Sequence, residues 1–460
     1  MIPRVAPPEK SANLCARNAK SGPRRRRQFY IMRAVCLRLV LFCGAILFSS
    51  ARADFQGSTH MMPFDEDTIA YSKTPSTGPI SRLQKAIADG TTKLPFDPKF
   101  GYLPAVLRAL GISQESQVLV FSKTSFQRER IDPESPRALF FNDDVYIGYI
   151  PGSPMLEVSE VDPKLGAVFY TLNQTPVERP KFARNDQCLE CHASAKSMGV
   201  PGQLLRSFEV DSSGVVDLQS GTSQVNHRTP FAERWGGWYV TGTHGAQTHR
   251  GNLFGEKAFR RAEKEPNYRG NVTDLTEFFD VQKYPRNQSD IVSLMLLEHQ
   301  THMHNFIARL QYETVIALQQ YGKIDHLKSK VDSFLEYLLF TEEAPLTNAI
   351  KGSAEFVKAF ESQGPADAKG RSLRQLDLTT RIFKYPCSYL IYSEAFDALP
   401  KEIKAMIYRR LYDILTGADP SDKFKTLAAS DRKAVLEILQ STKKDLPDYW
   451  RPEPTKTAAN

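Results

Sequence analysis

The stretch that most constrains this chain is Cys188-Leu189-Glu190-Cys191-His192. Two thiols three positions apart with an imidazole directly behind them form the C-x-x-C-H pattern through which a c-type haem is attached. Each thiol can form a thioether to one edge of a porphyrin, and the adjacent imidazole can serve as the proximal ligand of the iron. The competing chemistry is a Cys-x-x-Cys dithiol or disulfide that happens to precede a histidine. It belongs in a strand-then-helix setting, and the residues around Cys188 do not read as one.

Haem of this kind is attached outside the cytoplasm, so an export signal is an independent expectation of the motif. Residues 1–53 read as such a leader. Arg24 to Arg27 and Met32-Arg33 precede an apolar run from Leu39 to Phe48, and Ser49-Ser50-Ala51-Arg52-Ala53 offers a small-residue cleavage site before Asp54. The apolar run is too short to span a bilayer, so no integral membrane span is expected in the mature chain. Met32 is an alternative start, and Arg26-Arg27-Gln28-Phe29 has a twin-arginine look that any polybasic leader can produce. The expected location is periplasmic, or otherwise exported from a bacterium.

Cleavage reverses the charge argument. The whole chain carries 60 Lys and Arg against 52 Asp and Glu, a net of +8, but 11 of the basic and one of the acidic residues fall in the leader. The mature chain is then slightly acidic, which removes the case for nucleic-acid binding. Of six cysteines, Cys15, Cys36 and Cys43 leave with the leader. Haem attachment uses Cys188 and Cys191 and leaves Cys387 as a buried, inert thiol.

The mature length exceeds a usual single domain, and the hydrophobic period changes partway along. A polar leading segment over 54–78 is followed by an α+β haem domain over 79–255, a linker over 256–287, a helical domain over 288–450 and a tail over 451–460. The fold class is α+β, with a mostly antiparallel or mixed β haem-binding part ahead of an all-α part. Ile80 to Ala88 and Leu103 to Leu110 have helical spacing. Gln117–Ser122, Ala138–Phe141, Val145–Ile150, Leu156–Val161 and Ala167–Leu172 read as strands between turn-forming clusters, and 175–187 as irregular. Leu204–Val210 and Val215–Leu218 read as a hairpin closed by Asp211-Ser212-Ser213-Gly214. A long helix is expected from a cap at Ser289 or Asp290 to Tyr321, stopped by Gly322, and another from Pro400 to Gly417.

Several side chains are candidates for the second axial position of the iron. Met198 is only six residues from His192, and reaching the opposite haem face would take nearly the full ~20 Å of an extended segment. Trp235 to Gly245 is better material, because its glycines permit close approach and His244 can be aimed from a loop; His249 and His227 are candidates of the same type. On the long helix Met295, His299, His302, Phe306 and Leu310 share a face. His299 could cross to the haem iron, or bind a separate metal with His302, supported by Glu298 or His304. The plain alternative is a helix whose histidines are half-buried at a packing seam, because two histidines do not complete a coordination sphere.

Val118-Leu119-Val120-Phe121-Ser122-Lys123-Thr124-Ser125, Leu139 to Tyr146, Cys188 to His192, Trp235 to Gly245, and Tyr389 to Pro400 together resemble a group of exported bacterial proteins known as cytochrome c-domain-containing proteins. The resemblance runs over most of the mature length. It implies one covalent haem c on Cys188, Cys191 and His192 and an electron-transfer role, with no known substrate. The expected function is a periplasmic monohaem c-type cytochrome that passes single electrons to a redox partner protein. The alternatives are a haem-based redox or gas sensor, and a peroxidase-like haem oxidoreductase in which His244, His249 or Tyr239 assists proton transfer.

Overall fold

The computed structural model describes residues 60–419 and 421–451. The expected leader and its cleavage site lie outside the described residues, as do 54–59 of the polar leading segment and 452–460 of the tail.

The chain enters its core with α1 (Pro79–Ala88), which has proline in its first turn, where a missing N–H costs nothing, and which buries Ile80, Leu83 and Ile87. Helix α2 (Leu103–Ala109) follows, with Leu103, Val106 and Leu107 inward. The period then drops to two. Strands β1 (Val118–Val120), β2 (Arg137–Phe141), β3 (Val145–Tyr149), β4 (Met155–Asp162) and β5 (Gly166–Asn173) form a meander in which each strand pairs antiparallel with the next. Strands β6 (Phe182–Arg184) and β9 (Trp238–Tyr239) close its two edges, giving the order β6-β5-β4-β3-β2-β1-β9. The sequence reading leaves β6 and β9 unassigned, since two or three residues carry too little alternation to be read. A separate hairpin joins β7 (Arg206–Val210) to β8 (Val216–Gln224) through the turn at Asp211 to Gly214.

Alternation along the strands assigns the two sheet faces. Leu119, Ala138, Phe140, Ile147, Leu156, Val158, Val168 and Leu172 pack with α1 and α2 in one core. Val118, Val120, Phe141, Tyr146 and Val161 face the other way, into a core shared with the helical part.

That second core is organised by α5 (Ile291–Tyr321), capped by the Asp290 carboxylate, which accepts the Ser293 N–H at 2.8 Å, and stopped by Gly322 at φ +65°. The helix is buried on every side from Ile291 to Thr314, so its histidines lie in the interior rather than half-buried at a seam. It packs on β5 and on α6 (Lys328–Leu338), α7 (Ala354–Glu361) and α8 (Glu394–Asp397), with α9 (Lys401–Thr416) and α10 (Ala429–Thr442) beyond.

The fold is α+β, with antiparallel sheet in the first part and helices in the second. The sequence reading divides the mature chain at a linker over 256–287. The described residues belong to one compact unit, and one apolar cluster includes residues from Val118 to Trp450. Residues 256–287 contain α4 (Glu256–Lys264) and bury Leu275, Phe279, Val281 and Tyr284 against the sheet side. The physical reason is α5 itself, whose buried surface needs cover from both parts. Among the described residues, no helix is long and apolar enough to cross a membrane.

Candidate haem-attachment site

The Cys188 to His192 stretch sits on a turn built by local capping. The Asn185 side chain accepts the Gln187 N–H at 3.1 Å, a 3-10 turn spans Asp186–Cys188, and α3 (Leu189–His192) continues it for one helical turn. Helical spacing puts Cys188, Cys191 and His192, at i, i+3 and i+4, along one side. Both thiols are free; Cys188 is half-buried and Cys191 exposed. Burial pushes the Cys188 thiol up to about 11, so it stays protonated at neutral pH.

The His192 ring is held at one nitrogen only. Its Nδ1 lies 2.9 Å from the Gly202 carbonyl oxygen, which can only accept, so Nδ1 carries the proton. Among the described residues Nε2 has no hydrogen-bond partner, and it is not enclosed. This is the arrangement a metal-binding imidazole needs: one nitrogen tied to a backbone carbonyl, which sets the tautomer and ring direction, and the other free. Burial lowers the His192 pKa, which favours the neutral ring that can donate a lone pair. The Phe169 ring from β5 packs against it at 4.7 Å.

The carbonyl that orients His192 is itself clamped from α5. The Asn305 side chain accepts the Gln203 N–H and donates to the Gln203 carbonyl, each at 2.8 Å. A Cβ on Gly202 would come within 2.3 Å of Asn305 Oδ1, so only glycine lets this segment and the helix approach this closely. Gln203 Nε2 donates to Ser159 Oγ on β4, which ties the strut to the sheet. The backbone of His192 joins the same segment, its carbonyl accepting from Gly202 N–H at 2.8 Å and Ser197 Oγ at 3.0 Å.

The candidates for the other axial position are occupied elsewhere. Met198 is buried in the α5-side core at φ +59°, and its carbonyl accepts from Arg309 Nη1 at 2.7 Å. The His244 Nε2 accepts the Asn271 N–H at 2.9 Å, and the ring packs on His249 at 4.7 Å and on Phe231 at 5.8 Å. His299 is fully buried with both nitrogens engaged: Nδ1 meets His227 Nδ1 at 2.9 Å and Nε2 meets Ser388 Oγ at 2.8 Å. Among the described residues no hydrogen bond or ring contact joins His244 or His299 to Cys188, Cys191 or His192. His302 lies between Phe306 and Tyr337, and His304 donates Nε2–H to the Asp143 carbonyl at 2.7 Å. Glu298 pairs with Arg234 and accepts the Trp235 indole N–H at 2.9 Å. Among the described residues no group of three or more His, Cys, Asp or Glu is placed to hold a metal ion. Tyr239 is buried with its hydroxyl donated to the Pro133 carbonyl at 2.7 Å, and Cys387 is fully buried, its thiol pushed up by burial.

Gly202, Gln203, Asn305 and Phe169 are the residues of this site that sequence reasoning missed. Only Pro201-Gly202, a turn signal ten residues after the motif, could have pointed to one of them. A comparison of the chain with protein-family models, curated proteins and solved structures finds no match.

Proposed function

We propose that this chain is an exported monohaem c-type cytochrome, carrying one haem on Cys188 and Cys191 and passing single electrons to a redox partner protein. The observation that carries the reading is the state of His192: Nδ1–H tied to the Gly202 carbonyl and Nε2 left free, with both thiols of the motif unpaired on the same side of a helical turn. These residues fit the group. The thiols would bind it, Nε2 of His192 would be its axial donor, and Phe169 would keep that imidazole in place. Haem bound there supplies an iron couple that takes up and gives back one electron. The leader read over residues 1–53 supports a periplasmic location, and the near-neutral charge of the mature chain argues against nucleic acid as a partner.

A second reading, a haem-based redox or gas sensor, has one observation in its favour. His299 has both nitrogens engaged and the one unbonded nitrogen of His244 is buried, which favours another donor or an exchangeable ligand opposite His192. One experiment tests both. The mature protein is made with a haem-attachment system, weighed intact, and its reduced and oxidised spectra are compared with those of His244→Ala and His299→Ala. An added haem mass with a low-spin spectrum is the expected result for the electron carrier; a high-spin or carbon monoxide-binding spectrum favours the sensor. A mass without haem overturns both.

A further inference from the structure

The face of the sheet against which His192 rests carries a buried ion pair that the motif does not account for. On β4, Ser159 stands opposite Phe169, the residue packed on His192, and Gln203 reaches the same serine. Two residues along the same strand and on the same face, about 7 Å away, is Glu157. Its neighbours in register are Thr171 on β5 and Gly148 on β3. Gly148 stands opposite Leu139 on β2, and Arg137, two residues further on β2, reaches back across the glycine to place Nη1 2.6 Å from Glu157 Oε2. Both side chains are 18% exposed.

Glu157 is fully used. Its Oε1 accepts from Ser125 Oγ at 2.7 Å and from the backbone and side-chain nitrogens of Gln127 at 3.2 Å each. Burial raises its pKa, but the Arg137 charge and these hydrogen bonds outweigh that and hold the carboxyl below its ordinary range, ionised. Arg137 is not fully used: its Nε–H is buried and has no acceptor among the described residues. A buried guanidinium N–H without a partner costs about 1–3 kcal/mol, so an arginine fixed in this way calls for an anionic acceptor. The charges that bear on the His192 ring are those of Arg137 and Glu157, and Glu157 also bears on Cys188. Haem carries two carboxylates on the edge opposite the one that forms thioethers.

We propose that Arg137 is a positioning residue for the haem: held by Glu157, it gives its unpartnered Nε–H to a haem carboxylate and offsets that negative charge beside the iron. The proposal rests on the cytochrome reading. It commits the porphyrin to lie along this face of the sheet, over Gly148, with its thioether edge at Cys188 and Cys191 and its carboxylate edge toward β2. Losing the positive charge leaves the carboxylate uncompensated, which favours the more positive, oxidised iron. Losing the negative charge of Glu157 does the reverse.

The test uses the matured full-length protein with covalent haem, whose mass is read before anything else. The midpoint potentials of wild type, Arg137→Gln, Arg137→Lys and Glu157→Gln are then measured by mediated titration. Arg137→Gln retains its haem mass, because thioethers hold it, and its potential falls by the equivalent of a tenfold change in the reduced-to-oxidised ratio, about 59 mV for one electron. Arg137→Lys falls by less, and Glu157→Gln rises. A purely structural pair would shift both neutral variants in the same direction, and that result overturns the proposal, as does a change smaller than twofold in Arg137→Gln. If Arg137→Gln does not fold, the signs for Arg137→Lys and Glu157→Gln decide in the same way. A wild type without haem defeats the cytochrome reading; a haem-bearing wild type with unmoved variants defeats only the role of Arg137.

Discussion

His192 and His299 are the same side chain in opposite circumstances. His192 stands at the half-exposed end of the sheet face with one nitrogen bonded to a carbonyl and the other free. His299 lies at the centre of the helical part with one nitrogen on His227, the other on Ser388, and its ring stacked on Tyr337 and Phe340. The first arrangement directs a lone pair outward at the cost of one hydrogen bond. The second uses both nitrogens to satisfy the polar groups of a buried helix. His244 and His304 also keep one nitrogen without a hydrogen-bond partner among the described residues, but theirs is buried, so what separates His192 is an unbonded nitrogen that is not enclosed.

The same contrast runs along α5. Its interior-facing polar residues are paired almost one by one: Glu298 with Arg234 and Trp235, Gln300 with Tyr146 and Tyr389, His304 with the Asp143 carbonyl, Asn305 with Gln203. These contacts fasten the helix to the sheet, to the 227–235 loop and to the 385–392 segment. A helix buried on all sides with unpaired polar groups would not be stable, so each partner is a condition of the fold.

Three measurements can break this comparison or sharpen it. The largest effect is expected from Cys188→Ser combined with Cys191→Ser, which removes the proposed haem mass completely, whereas His299→Gln retains it in full; equal haem in the two proteins would erase the distinction. Next, Glu298→Ala leaves Arg234 buried without a counter-ion and is expected to cost about 3–5 kcal/mol in denaturant unfolding. Breaking the exposed Arg260–Glu256 pair on α4 leaves the midpoint unchanged. A Glu298→Ala protein as stable as wild type would mean that the pairing along α5 does not hold the two parts together.

The smallest effect is in pH dependence. Burial lowers His304 to about 4 and His299 to about 3, below the ordinary value of 6.5. A histidine depressed in this way contributes its stability in full above about pH 6.5 and loses it as the pH falls toward the folded value, at about 1.4 kcal/mol per pH unit. His304→Gln keeps a donor for the Asp143 carbonyl and removes the titration. The slope of unfolding free energy between about pH 6 and 4.5 is expected to decrease by one proton relative to wild type. An unchanged slope would show that His304 does not stay neutral in the folded chain.

Much of the sheet was legible in the chain. β-Branched and aromatic runs separated by Asn142-Asp143-Asp144, Pro151-Gly152 and Asp162 to Gly166 predict β2 to β5 to within one or two residues, because two-residue alternation and turn chemistry are local. The ends of α5 were legible for the same reason, since Asp290 and Gly322 act on the adjacent turn. The apparent linker at 256–287 was not. Its buried Leu275, Phe279, Val281 and Tyr284 are spaced without regular period, so burial there is set by the surface they meet. Arg137 and Glu157 were not legible as a pair: Arg137 precedes the strand read over Ala138–Phe141, and only the antiparallel register brings it to Glu157 across Gly148.

What the amino-acid order determined alone is what nearest neighbours can enforce: a five-residue turn with two thiols and an imidazole on one side, strands of period two, and helices with their caps. The tertiary structure decided which imidazole keeps an unbonded nitrogen outside the buried interior. The bonds that make this decision join residues 72 apart for His227 and His299, 89 apart for His299 and Ser388, and 102 apart for Gln203 and Asn305. No local pattern encodes such pairs, because each depends on α5 being buried between the sheet and the helices that follow it.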